Sequence, residues 1–354
     1  MFAYRSRIPE LPLRALIPVL LLVLAAFFRA PGAEYARDLP ADAFWRGGKA
    51  LFQGFAQTIG ALPGGSLSTW LSVLSWLSAG LALWLFDLNL RLISPGARAQ
   101  SRSFYSVIFF CLAPAFFQSG WSPNPDMPVL ALLLGFVWCT IKAMEGLHLR
   151  HALGAAASGL AAAVAQPVLW PAVLCLALGL SWALGRAGRG SVWWAFIALV
   201  GIISGGAMWV FGLGPADLAA AARLQDWTPA NWFAPSAAGG AADARPNALF
   251  ALFPFFHPAF CVLLPFLLLL WKRTDWQRPA RRLLLTALTA YLFFLSGLPE
   301  QKLTALLPAY ALLLLSFFQS WDRLQSYGEF FLPRLTYGIL AAAILVQLAA
   351  NVFL

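Results

Sequence analysis

The sequence predicts an all-α polytopic integral membrane protein, with residues 1–354 forming a single transmembrane domain of about eleven helices. Three observations predict it. Apolar residues make up 61% of the chain, where soluble domains carry about 45–50%, and charged residues only 11%, against about 25%. A water-soluble protein of this size must cover its surface with polar groups, and 24 basic and 14 acidic side chains are too few. Long apolar windows also recur along the chain between short polar turns, the pattern of repeated bilayer crossings.

In chain order the windows fall near 13–28, 67–86, 103–118, 127–144, 152–165, 167–184, 192–212, 249–271, 283–297, 303–318 and 335–353. The first follows Arg5, Arg7 and Arg14, as a signal peptide would. Phe27-Phe28-Arg29 lacks the small residues of a cleavage site, so it reads as a retained span. Gln166-Pro167 interrupts the run from 152 to 184, because proline removes a backbone donor. Charge decides between one crossing and two. Two crossings put seventeen basic residues on one side and seven on the other, whereas one crossing moves the Lys272–Arg282 cluster to the poorer side. The positive-inside rule then sets the N-terminus in the cytoplasm and the C-terminus outside, periplasmic if the membrane is a bacterial inner membrane.

Only the connections 29–66 and 213–248 are long, and both fall on the outer side. In the first, Phe44, Gly48, Leu51, Phe52, Phe55 and Ile59 recur at three-to-four spacing around Arg46, Lys49 and Gln53, which predicts a helix lying in the membrane interface. The second carries Trp227, Trp232 and Phe233 beside a small-residue run, an aromatic anchor that could close over a substrate. The inner connections are short, so no soluble catalytic domain is expected. No G-x-x-x-x-G-K loop occurs, which argues against a nucleotide-driven pump. The basic residues form no continuous stripe, so nucleic acid is not an expected partner. Cys111, Cys139, Cys175 and Cys261 have neither metal-ligand nor redox spacing. No internal repeat supports an inverted-repeat transporter.

Ionisable groups beside apolar spans are costly and therefore informative. Asp38 and Asp42 follow the first span; they are either solvated loop charges or groups with work to do at the outer face. Asp126 lies in Ser122-Pro123-Asn124-Pro125-Asp126-Met127-Pro128, a turn whose prolines hold the carboxylate at the outer boundary, where it either caps the fourth helix or faces a substrate. His257 is a few residues inside the eighth span, as a packing residue or a ligand. Lys302, in the short outer turn Pro299-Glu300-Gln301-Lys302, either snorkels beside Glu300 or meets an anionic partner. Asp87 and Arg91, one turn apart, read as an ion pair at the inner boundary.

The segment Leu298-Pro299-Glu300-Gln301-Lys302-Leu303-Thr304-Ala305-Leu306-Leu307-Pro308-Ala309-Tyr310-Ala311-Leu312-Leu313 resembles the K-x-x-x-x-L-P-x-x-P-x-L-A-L-L pattern of polytopic glycosyltransferases of the GT-C superfamily. The nearest groups are the protein O-mannosyltransferases and the lipid A aminoarabinose transferase. Tyr310-Ala311 stands where that pattern has its second proline. Three further places are similar: acidic residues with an aromatic after span one (Asp38, Asp42, Phe44), a Pro-Asp turn before span four (Pro125-Asp126), and a Gly-rich span broken at Gln166-Pro167. Ala41-Asp42 replaces the family's adjacent acidic pair, and Gln166 replaces a basic residue. The resemblance runs to about residue 321 and lacks the soluble domain some relatives append.

The resemblance implies an enzyme that moves a sugar from a polyprenyl-phosphate donor to a lipid, glycan or protein acceptor at the outer face. Asp42 or Asp38 would be the general base. Asp126 would orient the acceptor or join Asp42 in holding a divalent cation such as Mg or Mn. Lys302 would meet the leaving phosphate, with His257, Gln166, Gln301 and Trp227 completing the substrate site and membrane lipids surrounding it. Two other classes stay open. A transporter or flippase of a lipid-linked substrate needs the same outer polar groups but buries ionisable residues near mid-membrane. A non-catalytic membrane subunit would tolerate loss of the aspartates.

Overall fold

The computed structural model describes residues 67–93, parts of 106–120, 126–146, 148–188, 190–210, parts of 224–229, 279–298, 306–326 and the isolated positions 338, 341 and 345. Among the described residues every regular element is helical: α1 (Leu67–Ile93), α2 (Asp126–Gly146), α3 (Leu149–Ala165), a 3-10 turn (Pro167–Leu169), α4 (Trp170–Arg186), α5 (Gly190–Val210), α6 (Pro279–Ser296) and α7 (Leu307–Ser326). The windows predicted at 67–86, 127–144, 152–165, 167–184, 192–212, 283–297 and 303–318 each overlap one of these helices where they are described. The window at 103–118 is described only in part, with helical residues at 106, 107, 110, 111 and 116. Those at 13–28 and 249–271, the interfacial helix of 29–66 and nearly all of 335–353 lie outside the described residues, as does most of the loop 213–248.

Among the described residues two stretches, Ser72–Ile93 and Asp126–Gly146, are long and apolar enough to cross a membrane, beside shorter apolar stretches such as Leu149–Ala165, Trp170–Arg186 and Gly190–Ile202. Large apolar side chains face outward in stripes at helical spacing: Val73, Leu77, Leu81 and Trp84 on α1, and Leu174, Leu178 and Trp182 on α4. Trp194, Ile197 and Ile202 do the same on α5.

Local sequence explains the helix ends. Arg91 closes α1 and pairs with Asp87, the predicted i,i+4 contact, where the C-terminal end of the helix dipole favours a cation. α2 opens on Asp126, the charge that the opposite end of a dipole favours, and Pro128 fits the first turn because its missing N–H would have had no intrahelical partner. α3 stops at Gln166, whose backbone is extended (φ −139°, ψ 88°) as the residue before a proline prefers. Its N–H still donates to Ala162 O at 2.9 Å, and Leu169 N–H donates to Gln166 O at 2.9 Å to form the 3-10 turn. Beyond α4, Gly188 takes a left-handed φ of 69°, open to a residue without a Cβ, and the chain turns into α5.

Contacts between helices fix their directions. Ser75 Oγ donates to Ser119 O at 3.0 Å and Asn89 Nδ2 donates to Leu134 O at 2.9 Å, so α1 and α2 run parallel. α2 and α3 form an antiparallel hairpin through adjoining glycines: a Cβ on Gly154 would lie 2.9 Å from Cys139 Sγ, and one on Gly159 would lie 3.0 Å from Phe136 Cε2. Small residues at such faces let helix backbones approach closely. Trp170 meets Phe294 at 5.3 Å and Gly179 abuts Leu283, so α4 and α6 are antiparallel. Phe110 stacks on Phe86 at 4.5 Å and on Tyr310 at 5.6 Å, tying the 106–120 segment between α1 and α7 in one buried core.

These directions sort the polar residues. Arg91, Lys142, Arg150, Arg186 and Arg282 gather at one end of the bundle, and Asp126, Gln166 and Trp170 at the other. The chain reverses at the Gln166-Pro167 break, so α3 and α4 both have their basic ends on the same side.

Candidate functional site

At the end opposite the basic residues, four elements converge: the first turn of α2, the break between α3 and α4, the last turns of α6, and the short stretch around Trp227. Asp126 is the first residue of α2 and is only 6% exposed. The contacts of Gly154 with Cys139 and Gly159 with Phe136 set the α2–α3 register, which brings Gln166, 4% exposed, level with the first turn of α2. Tyr291, three residues before Phe294 on α6, is fully buried at the same end of the bundle.

Aromatic rings border this polar group. Trp170, in the first turn of α4, packs edge-on against Phe294, and Trp227 tilts over Phe293 at 5.7 Å. Thr228 N–H donates to Gly297 O at 3.0 Å, fastening the Trp227 stretch to the end of α6. The Trp227 indole fills the space that a Cβ at Gly297 would need. The indole N–H groups of Trp170 and Trp227 have no hydrogen-bond partner among the described residues.

At the basic end the histidines lie just before the apolar run of α3. His151 packs against Trp138 at 5.5 Å and against His148 at 5.9 Å. Burial, then the charges of Arg150, His148 and Lys142, hold the His151 imidazole below its usual range.

Of the residues singled out from sequence, the structure sets Asp126, Gln166 and Trp227 at the same end of the bundle. Asp38, Asp42, His257, Gln301 and Lys302 lie outside the described residues. Asp126 is the only described member of the carboxylate pair expected to hold a cation, and no group of three His, Cys, Asp or Glu gathers among the described residues. Sequence reasoning passed over Tyr291, Trp170, Phe293 and Phe294. A phenol inside a predicted span was the available signal for Tyr291, since a polar group there needs a partner. No family model matches this chain, and no curated protein or solved structure matches it significantly.

Proposed function

We propose that the protein is a polytopic membrane glycosyltransferase of the GT-C type, with eleven crossings, a cytoplasmic N-terminus and its chemistry at the outer face of a bacterial inner membrane. It takes a sugar from a polyprenyl-phosphate donor and passes it to a lipid, glycan or protein hydroxyl. The observation that carries the reading is the buried Asp126 carboxylate beside the broken α3–α4 junction, at the bundle end opposite the clustered basic residues. Basic residues favour the cytoplasmic side, so the Asp126 end is the outer one.

A membrane-resident donor brings its phosphate and sugar to the boundary of the hydrocarbon, where this end of the bundle lies. A carboxylate held there by a helix end can accept a proton from, or a hydrogen bond of, an acceptor hydroxyl as it attacks the sugar. Trp170 and Trp227 set partly buried aromatic rings at the same end of the bundle. The direct test incubates purified protein with polyprenyl-phosphate sugars and follows loss of the donor by mass spectrometry. Asp126→Asn should abolish turnover with expression and detergent behaviour intact, and undiminished turnover in that variant would remove Asp126 from the chemistry.

A further inference from the structure

We propose that the outward face of α4 seats an anionic phospholipid, with its headgroup on Arg186 and an acyl chain along Trp182, Leu178 and Leu174. The proposal goes beyond the sugar-transfer reading and uses none of its site; it needs only that α4 lies in a bilayer. The helix has two opposite faces. Leu176, Leu180 and Leu184 are buried in the core, while Leu174, Leu178, Trp182 and Arg186, each four residues from the next, are exposed. The rise from Leu174 to Arg186 is about 18 Å of helix. One leaflet contributes about 15 Å of hydrocarbon, so this stripe matches the depth of a single phospholipid.

The headgroup end is a stacked cation. The Arg186 guanidinium lies over the Trp182 ring, 5.3 Å from its centroid. Stacking occupies the flat face of the guanidinium and leaves the N–H groups on its edge free to grip two phosphate oxygens at once. Trp182 is 58% exposed, and an amphipathic ring of this kind settles at headgroup depth. No anion of the protein competes. At the same end of the bundle Arg91 pairs with Asp87 and Lys142 with Glu145, whereas no carboxylate among the described residues pairs with Arg186. The carbonyls of Ala183 and Gly185 already accept from the N–H groups of Ala187 and Gly188, at 3.1 and 3.2 Å. A zwitterionic lipid carries its own ammonium beside the phosphate, so charge complementarity selects an anionic headgroup such as phosphatidylglycerol.

Native mass spectrometry tests this on the full chain in a neutral detergent, titrated with dioleoyl phosphatidylglycerol or dioleoyl phosphatidylcholine. The first phosphatidylglycerol should bind the parent about fivefold more tightly than phosphatidylcholine. Arg186→Gln should remove most of that preference and leave phosphatidylcholine binding unchanged. Arg186→Lys, which keeps the charge without the planar fork, should retain part of it. Arg91→Gln alters a cation that is already paired and should leave phosphatidylglycerol binding as in the parent. Undiminished binding in Arg186→Gln, or an equal loss in Arg186→Gln and Arg91→Gln, overturns the proposal, since the attraction is then that of the whole basic end. Trp182→Leu keeps an apolar side chain and removes the stack, and it should also weaken phosphatidylglycerol binding. If Arg186→Gln does not accumulate, undiminished binding in Trp182→Leu overturns the proposal in its place. Soluble glycerol phosphate displacing the lipid at equal concentration overturns it too, because the site then recognises a free phosphate.

Discussion

Replacing Gly159 with alanine should destabilise the protein, although alanine is the better helix former. The added Cβ would stand 3.0 Å from Phe136 Cε2 and 3.1 Å from Cδ2 and Cζ, where carbon atoms prefer about 3.5–4.0 Å. Phe136 is 1% exposed and belongs to the main core, so its ring has little room to withdraw and the hairpin must open by several tenths of an ångström. Overpacking of this kind costs about 1–3 kcal/mol, and the helix-propensity gain of alanine over glycine returns about 1 kcal/mol. The net loss is then up to about 2 kcal/mol. Gly80→Ala is the control: it has the same propensity gain, with nothing within 4 Å of the new Cβ. The difference between the two variants isolates the packing cost. Unfolding by SDS in mixed micelles, followed by circular dichroism, measures both. A Gly159→Ala protein as stable as Gly80→Ala refutes the close α2–α3 approach. Adding Phe136→Leu to Gly159→Ala should recover part of the loss.

Reporter fusions at Gly188 and at Leu354 should report opposite sides of the membrane, and the same side for both would refute the eleven-crossing topology. Lys302→Ala should weaken binding of a polyprenyl-phosphate sugar and slow transfer, while Lys302→Arg, which keeps the charge on a differently shaped head, should retain part of each. Titrating the donor into both variants and the parent in one detergent distinguishes this from a lysine that only snorkels, for which neither value would move.

Hydropathy made the helices legible because each apolar window is long and bounded by charge, proline or glycine. The interruption at Gln166-Pro167 was readable for the same reason: proline acts on its own backbone and on the residue before it, whatever surrounds them. The Asp87–Arg91 pair was equally local. Tyr291 was not legible, since its burial at the Asp126 end depends on how α6 docks against α4, and no spacing within either helix encodes that. Trp227 was noticed as an interfacial aromatic, but its seat against Phe293 and Gly297 depends on a contact across some seventy residues of chain. Asn89, inside an apolar window, passed without comment, yet it donates to the carbonyls of both Leu85 and Leu134. Periodicity reveals which face is apolar and is silent on which polar residue bridges two helices.

The unequal lengths of the helices shape the surrounding lipid. α3 and α4 have 17 residues each, about 25 Å of helix, while α1 has 27 residues, about 40 Å. In the proposed topology a bilayer about 30 Å thick in its hydrocarbon would be overspanned by one and underspanned by the others. Next to α3 and α4 the leaflets would then pinch inward, or headgroups and water would descend to the Gln166 break, while α1 would lean or extend into the headgroup layer. The protein would then carry its own dimple in the membrane. A lipid drifting into that dimple would have its headgroup drawn down towards the depth of Asp126 before touching any side chain.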